Sequence, residues 1–121
     1  MAATAGDLIG RLFFARIVAH KGHLLTTLLG QHKALEAYYD GITDLGDSFA
    51  EKYMGKYGRP ADIQLTWGEP DGDMQDFIKS TVDWIESVRF IVVPRSDTYL
   101  QNLIDEIVAL HYETLYLLTL N

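Results

Sequence analysis

Apolar residues recur at steps of three and four along the first half of the chain, the period of an amphipathic α-helix. The first helix is expected from Asp7, which the pattern assigns as the N-cap, while residues 1–6 are expected to fray. A turn is expected at residues 25–28, followed by a second helix over residues 28–57. The predicted inner stripes are Leu8, Leu12, Ala15, Ala19 and His23 in the first helix, and Leu28, His32, Leu35, Tyr39, Ile42, Leu45, Phe49 and Tyr53 in the second.

The second half predicts a long connection followed by two more helices. Residues 56–72 contain six turn-forming residues, and this connection is expected to hold one short helical turn at residues 61–63. The third helix is predicted over residues 71–91 and ends before Pro94. The fourth runs to residue 120 and is capped by Ser96 and Asp97. The inner face of the third helix is Phe77, Ile78, Val82, Ile85 and Val88.

These elements predict a single all-α domain over residues 1–121. Four helices with short outer connections and one long central connection are typical of an antiparallel four-helix bundle. The alternation of apolar and polar residues that marks a half-buried strand is absent. A chain of 121 residues is also too short to hold two domains of ordinary size.

Charge and composition narrow the classes of function. The chain carries 17 acidic and 10 basic residues, for a net charge of −7, which disfavours direct DNA binding. No apolar run is long enough to span a membrane, and no secretory signal pattern opens the chain. There is no cysteine, so disulfide and thiolate chemistry are excluded. The expected location is the cytoplasm.

The residues that could carry chemistry are histidines and carboxylates. His20, His23 and His32 lie close together in sequence, around the first turn. Asp47 and Glu51 are four residues apart and would be neighbours on one helix face. Two such carboxylates are either solvated surface acids or oxygen ligands of a hard cation. A fourth histidine in the last helix is isolated and is interpreted as structural.

Helix geometry separates the two groups. His32 and Asp47 are fifteen positions apart on one predicted helix, which corresponds to about 22 Å at 1.5 Å per residue. They cannot bind one metal ion within a single chain. A shared site would need the carboxylates of a second chain that runs antiparallel, and a two-fold dimer would then hold two equivalent sites.

The segment from His20 to Gly58, which reads HKGHLLTTLLGQHKALEAYYDGITDLGDSFAEKYMGKYG, resembles the miniferritin (Dps) branch of the ferritin-like superfamily. In that family a histidine near the end of the first helix precedes a second histidine and a D-x-x-x-E step. The intervals of fifteen from His32 to Asp47 and four from Asp47 to Glu51 agree with it. The H-K-A-L and G-K-Y-G stretches are similar to short phage-encoded relatives of unknown function.

The resemblance implies a ferritin-like bundle with a dinuclear or mononuclear iron site shared between two subunits. Its ligands would be His23, His32, Asp47 and Glu51, with His20 as the alternative first ligand. The activity would be oxidation of Fe²⁺ to Fe³⁺ by O₂ or H₂O₂, and Mn²⁺ or Zn²⁺ are alternative metals. The resemblance further implies self-association into a two-fold dimer and a larger cage, in the host cytoplasm if the chain is phage-encoded.

The sequence departs from the family at two points. Miniferritins have an aromatic residue after the first histidine, whereas Leu24 follows His23 here and Lys21 follows His20. The DNA-binding members have a basic N-terminal tail, and this chain has none, so DNA binding is not carried over. The alternative function is a non-catalytic, phage-related structural or assembly protein that reuses the bundle.

Overall fold

The computed structural model describes residues 2–120, which form four helices and no strand. The elements are α1 (Ala5–Leu25), α2 (Leu29–Tyr57), α3 (Met74–Val92) and α4 (Thr98–Leu117). The prediction of an all-α four-helix bundle is confirmed. Over the same residues, no helix combines the length and the apolar character needed to cross a membrane.

Helix α1 begins earlier than the periodicity predicted. Thr4 is its N-cap: the Thr4 hydroxyl accepts the Asp7 N–H at 3.2 Å, and the Asp7 carboxylate accepts the Thr4 N–H at 3.0 Å. The assignment of Asp7 as N-cap was therefore wrong, because Asp7 is the third residue of a capping box. Ala5 and Gly6, which were expected to fray, are buried in the first turn, and Met1 lies outside the described residues.

The other predicted helix ends shift by a few residues. Helix α3 begins at Met74 rather than residue 71, because Asp73 and Asp76 form a second capping box. Helix α4 ends at Leu117 rather than residue 120. Asp97 is the N-cap of α4, but its side chain makes no cap hydrogen bond and instead contacts the end of α2.

The connection between α2 and α3 is a crossover that makes these two helices parallel. The end of α2 lies beside the start of α4, where Asp97 accepts hydrogen bonds from Lys56 and Tyr57. The start of α3 lies at the opposite end of the bundle, where Gln75 donates to the Leu118 carbonyl at 3.0 Å. Each helix is therefore antiparallel to its packed neighbours, and residues 58–73 return along the length of the bundle.

The crossover lies directly against the backbone of α1. A Cβ atom added at Gly6 would lie 1.8 Å from the Asp62 carbonyl oxygen, and one at Gly10 would lie 1.7 Å from that of Gln64. The Gln64 N–H also donates to the Gly6 carbonyl at 3.3 Å. Residues 62–70 carry no helix, so the helical turn predicted at residues 61–63 was wrong. This segment instead packs its backbone against α1.

Candidate functional site

His23 and His32 form a stacked pair across the α1–α2 turn. Their ring centroids are 3.7 Å apart, with 17° between the ring planes. His23 Nδ1 donates to the His32 carbonyl at 2.6 Å, and His32 Nδ1 donates to the His23 carbonyl at 2.7 Å. The His23 carbonyl lies in the last turn of α1, where helix carbonyls have no intrahelical partner, so this bond also caps α1.

These reciprocal bonds determine the chemistry of both rings. A carbonyl can only accept a hydrogen bond, so both Nδ1 atoms carry hydrogen, and in each neutral ring Nε2 bears the lone pair. A metal-binding histidine commonly donates its other ring nitrogen to a carbonyl in this way, which orients the ring. His23 is buried, whereas His32 is partly exposed. The pair can therefore present two Nε2 ligand atoms.

Glu36 lies beside the histidine pair and was not among the predicted ligands. Its carboxylate oxygen is 3.8 Å from His23 Nε2, and its side chain is exposed. The sequence signal was present, because Glu36 follows His32 by four positions and shares its helix face. A carboxylate at this position can accept a hydrogen bond from a protonated His23.

His20 lies next to this pair without joining the stack. Its ring centroid is 6.0 Å from that of His23 and 4.7 Å from that of Tyr39, which also packs edge-on against His23. Partial burial, with the charges of Glu36 and Asp40, raises the pKa of Tyr39, so its hydroxyl stays protonated at neutral pH. The structure thus pairs His23, rather than His20, with His32.

Asp47 and Glu51 lie farther along the exposed side of α2. Both side chains are exposed. Glu36, Thr43 and Asp47 follow His32 by four, eleven and fifteen positions, so they lie on the same stripe of α2 as His32. Within residues 2–120, no group of three or more histidine or carboxylate side chains is close enough to hold a metal ion. Within one chain, His23 and His32 therefore lie together, but Asp47 and Glu51 do not lie near them. The metal site shared between two chains stays a prediction.

The surface between the two groups includes large apolar side chains that are exposed. Phe13 and Ile17 of α1 are 43% and 63% exposed, which is high for large apolar side chains. Beside them a groove of about 110 Å³ is lined by residues of α1 and α2, including Arg16, Thr43 and Asp47. We call this surface, from His32 to Glu51 with Phe13 and Ile17, the α1–α2 face.

His111 lies in the interior, remote from this face. Its Nδ1 donates to the Ile107 carbonyl at 2.8 Å, and its Nε2 accepts from the Tyr38 hydroxyl at 2.7 Å. Burial lowers the pKa of His111 to about 4, so the ring is neutral at neutral pH. Both nitrogens are occupied within the chain, in agreement with a structural role.

Comparison with known proteins finds related sequences over most of the chain. A family described as a family of unknown function, DUF5856, matches residues 23–118. The chain is also 30% identical over 122 residues to an uncharacterized 14.6 kDa protein from the mobD–ri intergenic region of Enterobacteria phage T4. That alignment covers 96% of this chain and 88% of the phage protein, in agreement with the similarity to phage-encoded relatives. No solved structure matches the chain.

Proposed function

The chain belongs to the family of unknown function DUF5856, and we propose that it binds iron at a site shared between two copies of the chain. The observation that carries this proposal is the His23–His32 pair, in which each Nδ1 is bonded to the other residue's carbonyl. Besides capping α1, these bonds fix both rings and leave each Nε2 without a hydrogen bond to protein over residues 2–120, which is how a metal-binding histidine is commonly oriented.

The donor set fits a transition-metal ion. Neutral imidazole and carboxylate together form a mixed ligand set that suits iron, and manganese or zinc are alternatives. His23 and His32 would hold the metal through Nε2, and His20 remains the alternative first ligand. The Glu36 carboxylate, 3.8 Å from His23 Nε2, would add negative charge beside the bound ion.

Asp47 and Glu51 would come from the second chain. They share the α1–α2 face with the histidines, but at 1.5 Å per residue Asp47 lies about 22 Å and Glu51 about 28 Å from His32 along α2. A two-fold axis across this face would set the carboxylate end of one α2 against the histidine end of the other. The exposed Phe13 and Ile17 would be covered in the same contact.

We also propose that the bundle is ferritin-like, and its topology supports this. A bundle with one long crossover connection is the arrangement of ferritin-like folds. Bound Fe²⁺ would supply electrons to O₂ or H₂O₂, which makes ferroxidase the proposed activity. The residues of this chain would bind the ion, fix the imidazole orientation through the reciprocal bonds, and leave positions open for the oxidant.

Subunit mixing tests the shared site. His32→Ala and Asp47→Ala chains should each bind Fe²⁺ weakly in anaerobic equilibrium dialysis. A mixture of the two should regain binding, since each heterodimer has one complete site and one site that lacks both groups. Recovery of up to about half of the binding within the heterodimer fraction is expected from this symmetry.

The matched control is His111→Gln, which should bind Fe²⁺ as the unmodified chain does, because His111 is buried and bonded at both nitrogens. If subunit exchange is verified and the mixture binds no more iron than either variant alone, the shared site is wrong. Asp47 and Glu51 would then be solvated surface acids.

A second candidate is a non-catalytic assembly protein, and the α1–α2 turn favours it. Four leucines at or beside this turn are largely exposed: Leu24, Leu25, Leu28 and Leu29. A cluster of exposed leucines of this kind is typical of a surface that contacts another protein. Elemental analysis of the purified protein separates the two candidates, because an assembly protein would retain no stoichiometric metal and an iron-binding protein would.

A further inference from the structure

Arg11 lies in the middle of α1 between two tryptophan rings. Its guanidinium carbon is 4.9 Å from the ring centroid of Trp67, on the crossover, and 5.4 Å from that of Trp84, on α3. Trp67 is held in place, since its Nε1 donates to the Gln64 carbonyl at 3.2 Å and its ring stacks on Phe14. The aromatic surroundings of Arg11 are therefore preorganised.

Arg11 has no counter-ion in the described part of the chain. Its side chain makes no ion pair or hydrogen bond over residues 2–120, and its Nε atom is buried without an acceptor. Burial also lowers the pKa of the guanidinium, because the surroundings solvate its positive charge less well than water does. A buried donor without a partner costs free energy, so it points to a missing acceptor, either water or a ligand.

A cleft of about 360 Å³ opens beside this guanidinium, under the crossover. Apolar and aromatic side chains form much of its wall, together with Arg11 and two carboxylates; the lining residues are Arg11, Phe14, Trp67, Gly68, Pro70, Asp71, Asp76, Phe77 and Ser80. Asp76 is committed to the cap of α3, where it accepts the Asp73 N–H at 3.1 Å. Asp71 is exposed and does not pair with Arg11.

We propose that this cleft binds a small molecule through a carboxylate or phosphate group that pairs with Arg11. A guanidinium presents a planar set of donors that matches either oxyanion. The carboxylates of Asp71 and Asp76 select against a ligand that is anionic throughout, so the remainder of the molecule would carry hydroxyl or amine donors. The cleft lies on the crossover side of α1, and the inference does not depend on the metal site.

Tryptophan fluorescence reports on this cleft directly. The chain has two tryptophans, and both pack against Arg11. Metal-stripped protein is titrated with phosphoethanolamine in one arm and β-alanine in another, each of which joins the oxyanion to an amine, with chloride at matched ionic strength as the salt control. A saturable change in emission beyond that of chloride is expected in at least one arm, and the responding arm identifies the oxyanion.

Arg11→Gln should abolish the saturable response, and Arg95→Gln should retain it, because Arg95 stacks on Phe90 away from both tryptophans. Circular dichroism checks that each variant is folded. If Arg11→Gln fails to fold, Arg11→Lys decides, with an expected loss of affinity of about tenfold. The proposal is overturned if neither compound gives a saturable response, or if the folded Arg11 variant binds as tightly as the unmodified chain. Arg11 would then serve only to anchor the crossover.

Discussion

Histidines in this chain differ in which ring nitrogens the protein itself uses. His111 has both nitrogens bonded inside the core, to Ile107 and Tyr38. His23 and His32 each have Nδ1 bonded to a carbonyl and Nε2 left without a hydrogen bond to protein. Residue type alone therefore says little about function, because the bonding of the second nitrogen decides whether a histidine can act as a ligand.

His111 should make the stability of the protein depend on pH. The unfolded chain protonates this histidine near its ordinary pKa of 6.5, whereas the folded chain does so only near 4. The contribution of neutral His111 to the free energy of unfolding is therefore complete above pH 6.5 and is lost as the pH falls toward 4. At pH 5 the expected loss is about 2 kcal/mol relative to neutral pH.

Urea unfolding measures the stability that His111 contributes. The unmodified chain and His111→Gln are each unfolded at neutral pH and at pH 5. The glutamine amide can accept from the Tyr38 hydroxyl and does not titrate, so the variant should lose about 2 kcal/mol less on acidification. Equal losses in both proteins would show that His111 does not titrate as its burial requires.

At the scale of elements, two glycines of α1 determine where the crossover lies. Gly6 and Gly10 are four residues apart and face the Asp62 and Gln64 carbonyls, so the helix backbone and the crossover backbone touch. Any side chain at these positions would overlap with backbone, which cannot swing away as a flexible side chain can. The same contact places Trp67 over Arg11 and so forms the roof of the cleft.

Gly10→Ala should destabilise the protein, by roughly 1–3 kcal/mol as for other overpacked sites. Gly55→Ala is the matched control, because a Cβ at Gly55 would meet nothing within 4 Å. That control should stabilise α2 by roughly 0.5–1 kcal/mol, the ordinary helix preference for alanine over glycine. Urea unfolding measures both, and a stabilising Gly10→Ala would contradict the close approach of the crossover.

At the scale of the whole molecule, charge and apolar exposure are distributed unevenly. The chain carries a net charge of −7, and α2 presents exposed acids on the same face as the exposed Phe13 and Ile17. An apolar strip with carboxylates at one end and histidines at the other is complementary to itself when turned by a two-fold axis. This is the whole-molecule basis for expecting a dimer.

Ile17→Glu should convert that dimer into a monomer without unfolding the chain, since Ile17 is 63% exposed. Light scattering should report half the mass, and circular dichroism should retain the helical signal. Ile91→Glu is the control, because Ile91 is similarly exposed, at 59%, but lies on α3. A dimer that persists in Ile17→Glu would place the contact on another surface.

The elements and their buried faces were predictable because local chemistry determines them. Helix α2 was expected over residues 28–57 and spans Leu29–Tyr57, and all five residues assigned to the inner face of α3 are buried. Periodicity and turn residues act over a few positions, so the sequence displays them directly. Errors fell at helix ends, where a capping box such as Thr4–Asp7 outweighs the hydrophobic pattern, and in the crossover, where the helical turn expected at residues 61–63 is absent.

The sequence by itself thus determined four helices, the inner faces of α1 and α3, and the closeness of three histidines around one turn. In α2 it placed Tyr39 inside, whereas the structure buries the neighbouring Tyr38. Only the tertiary structure decided that His23 stacks on His32, that the crossover lies on two glycines of α1, and that Arg11 finds no counter-ion among residues 2–120. Tyr38 and His111, which are 73 positions apart, show the reason. Such contacts depend on how whole helices pack, and no local pattern in the chain encodes which distant side chains will meet.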